Sequence, residues 1–257
     1  MEEDQLDYIL VPMGLLVLGL YHCWLLFTIL GHPKRTVIGV NAESRKQWVF
    51  FMMADPLKNG VLAVQTIRNN IMASTLLATT AITLSSIISV FVSGTSNSSN
   101  TTSALVYGNK TGIISSIKYF TILLCFLVAF LCNVQSIRYY AHVSFLVTVP
   151  SSKGNNDSIQ YVARNLNRGS LFWSLGLRAF YFSFPLFLWT FGPIPMFVCC
   201  FIMSFVLYFL DTTTSFTRQL HTLSFREEVK RDNVESVGQS PFFCVSCWLN
   251  CCCLRIL

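Results

Sequence analysis

Five cysteines crowd the last fourteen residues of the chain: Cys244, Cys247, Cys251, Cys252 and Cys253. The first two have the spacing of half a zinc site, but structural zinc needs four ligands, and here no histidine lies near. Prenylation needs a cysteine fourth from the end, where this chain has Leu254. Thiols among aromatic residues beside a membrane are typical of reversible acylation. We interpret the five as acylation candidates; an unmodified apolar tail and a metal site are the alternatives.

Two further groups of residues that could take part in chemistry lie inside apolar stretches. His22 could relay protons at membrane depth, or it could be neutral and bonded to a neighbouring helix. Four hydroxyls follow one another at steps of four, four and three and so share one helical face: Thr75, Thr79, Thr83 and Ser86. This Thr face could line a water-filled path, or it could let membrane helices pack closely. We favour the neutral histidine and the packing face.

Arginines and asparagines gather near one end of the apolar stretches: Arg68, Asn69, Asn70, Asn133, Arg138, Asn165, Arg168 and Arg178. They could form one polar layer that binds an anionic lipid headgroup. The alternative is that each residue anchors its own helix at the membrane surface and binds nothing.

The sequence lacks the motifs of several common catalytic and ligand-binding sites. It contains no Gly-rich phosphate loop, no His/Glu metal pair at helical spacing and no nucleophile elbow. We therefore predict that the protein is not an enzyme and has no catalytic residues, no cofactor and no metal. Acidic residues are almost absent from the apolar stretches, which argues against a carboxylate-driven proton pump.

The composition indicates a membrane protein. Apolar residues make up 53% of the 257 residues and charged residues only 12%, with a mean hydropathy of +0.55. Soluble domains carry about 25% charged residues, so the polar surface is too small for a water-soluble body. The net charge of +6 lies at helix ends rather than in a stripe. The lipid bilayer is therefore the expected partner, and nucleic acid is not.

The pattern predicts an all-α polytopic protein with five transmembrane helices, near residues 8–30, 71–92, 113–133, 170–191 and 194–210. Each stretch is close to the roughly 20 residues that span a hydrocarbon core of about 30 Å. The turn at residues 192–195 contains two prolines and separates the last two stretches; one kinked crossing, and so four in all, is the alternative. Short amphipathic helices near residues 42–51 and after Asp157 are expected at the membrane surface.

The charge distribution predicts the orientation of the helices. Residues 31–70 and 138–178 each carry an excess of four basic residues, which marks both segments as cytoplasmic. The N-terminus is then outside or lumenal, in the plasma membrane or an endomembrane. The loop 93–112 lies on the same side and carries the glycosylation candidates Asn97, Asn100 and Asn109. Residues 1–211 form the predicted membrane domain, and residues 212–257 form a charged, Cys-rich cytoplasmic tail.

Several segments resemble a plant and bacterial family of multi-pass membrane proteins known only as a domain of unknown function, number 599. They are residues 21–25, residues 41–53 with Arg45 and Trp48, residues 64–75, residues 165–170 and residues 177–182. The resemblance covers roughly residues 8–211. It implies an integral membrane protein without an assigned activity, and it supplies no site residues.

Two functions remain open from the sequence. The first is a membrane adaptor or regulatory protein that works through its basic cytoplasmic segments and its tail. The second is a small oligomeric transporter or channel that uses the Thr face and the polar layer. Either function would involve a second copy of the chain or another membrane protein as partner.

Overall fold

The chain folds into long helices. The computed structural model describes residues 3–97, 112–149 and 156–213. Within these ranges the α-helices are α1 Glu3–Gly31, α2 Val37–Ala54, α3 Pro56–Asn97, α4 Gly112–Leu146, α5 Asn156–Trp189 and α6 Pro193–Asp211. All of them except α2 contain an apolar span long enough to cross a membrane. The predicted all-α polytopic fold with five crossings is confirmed.

The turn between α5 and α6 has a clear physical cause. Gly192 has a φ of 158°, a backbone conformation that residues with a Cβ rarely adopt. Pro193 follows as the first residue of α6, where its missing N–H has no helical partner to lose. The two residues therefore end one crossing and begin the next, which excludes a single kinked crossing.

The connection from α1 to α2 is equally specific. A short 3₁₀ turn, Pro33–Arg35, leads to Thr36, whose hydroxyl accepts a hydrogen bond from the Gly39 amide at 3.2 Å and caps α2. A Cβ on Gly39 would lie only 2.1 Å from the Pro33 carbonyl oxygen. Glycine is therefore required where the turn folds back on the helix.

Three crossings belong to helices much longer than a bilayer is thick. They have 42 residues in α3, 35 in α4 and 34 in α5, which corresponds to about 50 Å or more at a rise of about 1.5 Å per residue, against a hydrocarbon core of about 30 Å. The sequence predicted a separate surface helix after Asp157. In the structure this segment is continuous with the crossing, because no residue between them interrupts the helical backbone.

Helices α3 to α6 alternate in direction along the chain, whereas α1 and α6 run parallel, with Gly14 against Cys200 and Tyr21 against Asp211. α4 packs between α3 and α5, while α6 packs between α5 and α1, and α2 lies on α5. We call the two ends of the bundle the Asp7 end, where α1 begins, and the α2 end, where α1 leads into α2. The long helices α3, α4 and α5 all extend to the α2 end.

Two large hydrophobic cores lie one beyond the other along the bundle, and a smaller cluster joins α1 to α6 through Tyr21, Leu25 and Leu207. The first joins all five crossings through residues such as Leu18, Ile122 and Met196. The second lies at the α2 end, where α2 contributes Val49 and packs on α3, α4 and α5. Many large apolar side chains face outward instead, as lipid contact requires. The α2 end therefore has a core of its own beyond the one that unites the crossings.

Candidate functional site

An ion pair lies between α5 and α6. Nη2 of Arg178 donates to both carboxylate oxygens of Asp211, at 2.9 and 2.8 Å. The Tyr21 hydroxyl of α1 donates to the same carboxylate. We call Tyr21, Arg178 and Asp211 the Arg178 cluster. It joins three helices through a single acidic group.

The Arg178 cluster is well enclosed. The side chains of Arg178 and Asp211 are 14% and 12% exposed. Arg178 lies eleven residues before the end of α5, which is about 16 Å along the helix. Removing one partner of a buried ion pair leaves the other charge uncompensated, and this costs about 3 to 5 kcal/mol. The Arg178 cluster is therefore a strong constraint on how α1, α5 and α6 pack.

His22 lies beside this cluster and packs on Phe182, with 4.8 Å between ring centroids. Its Nδ1 is 2.8 Å from the Leu18 carbonyl oxygen, which can only accept, so Nδ1 carries the proton. The partner is on its own helix, not on the neighbouring helix that the sequence suggested. Nε2 of His22 and Nη1 of Arg178 are both buried and have no hydrogen-bond partner among the described residues.

A second charged cluster lies at the Asp7 end. Nζ of Lys118 is 4.0 Å from a carboxylate oxygen of Asp7, and the two side chains are 6% and 5% exposed. The Trp189 indole N–H donates to the other oxygen at 3.3 Å, and its ring centroid lies 5.3 Å from the ammonium. We call these three residues the Asp7 cluster; they join α1, α4 and α5.

Sequence reasoning missed both clusters. Lys118 lies within the predicted crossing 113–133, and in the structure it is buried and paired. Asp7 and Asp211 lie one residue outside the predicted crossings 8–30 and 194–210, and neither was named as a site candidate. The sequence did contain a signal for each cluster, because one acidic and one basic residue lie at the same predicted end of two different crossings.

The polar-layer candidates lie in different surroundings. Asn133 and Asn165 are buried, and each donates to the carbonyl four residues earlier on its own helix. Arg178 belongs to the cluster described above, and Asn70 is half-buried. The other four are exposed: Arg68, Asn69, Arg138 and Arg168. The structure therefore brings none of the four exposed candidates into the Arg178 cluster.

A buried polar seam runs between α3, α4 and α5. The Ser74 and Ser136 hydroxyls lie 3.3 Å apart, and Ser136 donates to the Gly169 carbonyl at 2.8 Å. A Cβ on Gly169 would lie 3.0 Å from the Tyr140 ring, so glycine allows this close packing. Tyr140 is buried in the same contact. The Ser74 and Ser136 hydroxyls therefore have partners where the helices meet.

The Thr face points away from the bundle. Its four residues each donate to a carbonyl one turn earlier on α3, at 2.9 to 3.1 Å. These hydroxyls need no water and no partner helix. A groove of about 250 Å³ lies elsewhere, near the start of α3, and Arg68 and Thr148 help to line it.

The candidate glycosylation and acylation side chains lie outside the described residues. Asn97 is the last residue of α3, but its side chain lies outside the described residues, as do Asn100, Asn109 and all five tail cysteines. The described cysteines are free thiols. Within the described ranges, no group of three metal-ligating side chains comes together.

Five apolar helices, four of them linked by ion pairs, define an all-α polytopic membrane protein. The sequence profile of the family described as "Protein of unknown function, DUF599" matches residues 9–216, and the chain belongs to this family. The resemblance noted from the sequence is thereby confirmed. No curated protein and no solved structure matches the chain.

Proposed function

We propose that this protein is a membrane adaptor whose working surface is the α2 end. The observation that carries the proposal is a helical extension with its own hydrophobic core, which holds exposed basic side chains beyond the crossings. They are Lys34, Arg35, Lys46, Lys58, Arg68, Arg138, Arg164 and Arg168, against the exposed acids Glu43, Asp55 and Asp157. We call these eight residues the basic surface.

The proposed partner is an acidic segment of another membrane-associated protein. Exposed basic side chains raise the rate and specificity of association with acidic surfaces. Under the positive-inside rule the α2 end is cytoplasmic and the Asp7 end is outside or lumenal. The proposal includes no catalytic activity and no cofactor, since the sequence carries no motif for either.

Copurification from native membranes tests the adaptor proposal. The full chain is compared with a variant in which Arg138, Arg164 and Arg168 are changed to Gln. The control removes the same number of charges from the tail, at Arg218, Arg226 and Lys230. We expect a bound partner to fall at least tenfold in the first variant and to remain in the second. Equal recovery from both variants would contradict a role for the basic surface.

A transporter or channel is the second candidate, and the Arg178 cluster favours it. Ionisable groups at membrane depth mark transport pathways in many proteins. Single cysteines at Thr79 and Thr83, in a chain without native cysteines, separate the two functions. A path along the Thr face would let a water-soluble maleimide react at both positions. An adaptor should react at neither, because both side chains would face lipid.

The covalent modifications are part of the same proposal. Acylation of the tail would hold it against the bilayer, and glycosylation of the loop 93–112 would mark the outer side. Acyl exchange on the unaltered chain, compared with a variant carrying Ser at all five tail cysteines, tests the first. Equal signals from the two chains would contradict acylation of the tail.

A further inference from the structure

Arg45 of α2 is partly enclosed against α5 and held in one place. Its Nε donates to Oδ1 of Asn167 at 2.8 Å. Asn167 is itself fixed, because its Nδ2 donates to the Ala42 carbonyl of α2 at 3.2 Å. These bonds orient the guanidinium through one of its three nitrogens. The two terminal nitrogens make no described hydrogen bond.

Among the residues that the structure describes, this guanidinium has no acidic partner. The two ion pairs among the described residues are Lys118 with Asp7 and Arg178 with Asp211. Burial lowers the pKa of Arg45. An arginine still stays protonated, so its positive charge remains. A partly enclosed cation without an anion is costly, and a bound anion would relieve that cost.

The position of Arg45 indicates where such an anion would come from. Phe50 and Phe51 of the same helix are 56% and 45% exposed, as expected for a helix lying in the membrane interface. Arg168 is exposed next to Asn167 in the sequence and adds positive potential. Headgroup phosphates are the anions at this depth, although a soluble phosphate could also reach it.

We propose that Arg45 binds a phosphate group between α2 and α5. Its two free terminal nitrogens can donate to two phosphate oxygens, the bidentate geometry that arginine favours. Asn167 is a positioning residue, since it holds Nε and leaves those nitrogens free. The inference does not rest on the adaptor proposal, because Arg45 is partly enclosed and is not part of the basic surface.

The thermal unfolding midpoint of the full chain, delipidated in neutral detergent, measures this binding. The probes are dihexanoyl phosphatidic acid, inorganic phosphate and, as the zwitterionic control, dihexanoyl phosphatidylcholine. We expect a saturable rise with at least one of the first two and at least a tenfold weaker response in Arg45→Gln. Lys46→Gln is the matched control: it removes one charge from the same helix and should keep the response.

The two probes distinguish the source of the phosphate. A rise with phosphatidic acid alone identifies a lipid headgroup, and an equal rise with inorganic phosphate identifies a soluble ligand. Either result supports the site if it depends on Arg45. No rise with either probe would overturn the proposal, and so would equal losses in the Arg45 and Lys46 variants.

Asn167→Asp provides a second test if the Arg45 variant folds poorly. The substitution places a carboxylate beside Nε and so gives Arg45 a partner within the chain. We expect this variant to bind neither probe and, without ligand, to unfold at a higher temperature than the unaltered chain. A response to phosphate as strong as that of the unaltered chain would contradict the site.

Discussion

The Arg178 cluster and the Asp7 cluster both join α1 to α5, but they differ in how closely their charged groups pair. Arg178 donates to both oxygens of Asp211 at 2.8 and 2.9 Å, and Tyr21 donates to the same group. Lys118 lies 4.0 Å from Asp7. The pair of Arg178 and Asp211 is fixed in direction as well as in distance, whereas the pair of Lys118 and Asp7 is held mainly by the attraction of the two charges.

The difference follows from the side chains involved. A guanidinium is planar and matches a carboxylate in geometry, whereas an ammonium is a compact charge with freely rotating donors. The Trp189 ring compensates in part, since it offers its face to the ammonium. We therefore expect the Arg178 cluster to hold its helices together more firmly than the Asp7 cluster does.

The largest expected effect is that of Asp211→Ala. It leaves Arg178 buried without a counter-charge and removes the acceptor of Tyr21, so the free energy of unfolding should fall by about 3 to 5 kcal/mol. Unfolding in mixed micelles by SDS titration measures the change. Glu43→Ala removes an exposed acid from α2 and is the control. Similar losses in both variants would mean that the Arg178 cluster does not hold the helices together.

Tyr21→Phe should have a smaller effect. It removes one hydrogen bond to a charged group and leaves the ion pair intact, which corresponds to about 1.5 to 3 kcal/mol. The same titration measures it. Tyr208 of α6 is 44% exposed, and Tyr208→Phe serves as the control that removes a phenolic hydroxyl outside the cluster. A loss no greater than that of the control would contradict the contribution of Tyr21.

A double-mutant cycle on Asp7 and Lys118 sharpens the comparison further. Their separation of 4.0 Å predicts a coupling free energy below about 1 kcal/mol. For Asp211 and Arg178 we expect a coupling free energy of several kcal/mol. Asn and Met replace the acid and the base in each pair. Equal coupling free energies in the two pairs would contradict the expected difference in pairing strength between the clusters.

The smallest effect is expected on the Thr face. Thr79→Val and Thr83→Val remove hydroxyls that bond only to their own helix. The unfolding free energy should change by less than about 0.5 kcal/mol, as for exposed positions in general. A loss above about 1 kcal/mol in the SDS titration would show that another helix packs on this face.

Much of the fold could be predicted from the sequence. Five apolar stretches of spanning length and the Gly-Pro turn at residues 192–193 determine the number of crossings, because backbone groups in lipid must bond within a helix. The Thr face was also recognisable from its spacing of four, four and three. Each of these features depends on residues that lie close together along the chain.

Only the tertiary structure decided which polar residues meet. Tyr21 and Asp211 are 190 residues apart, and the rotation of α1, α5 and α6 about their axes brings them together. The rotation of α3 about its axis likewise directs the Thr face outward, and the packing of α2 on α5 leaves Arg168 exposed while Arg45 is partly enclosed. A periodic pattern defines the faces of a helix. Which face turns inward depends on packing between helices, since lipid and protein interior are similarly apolar.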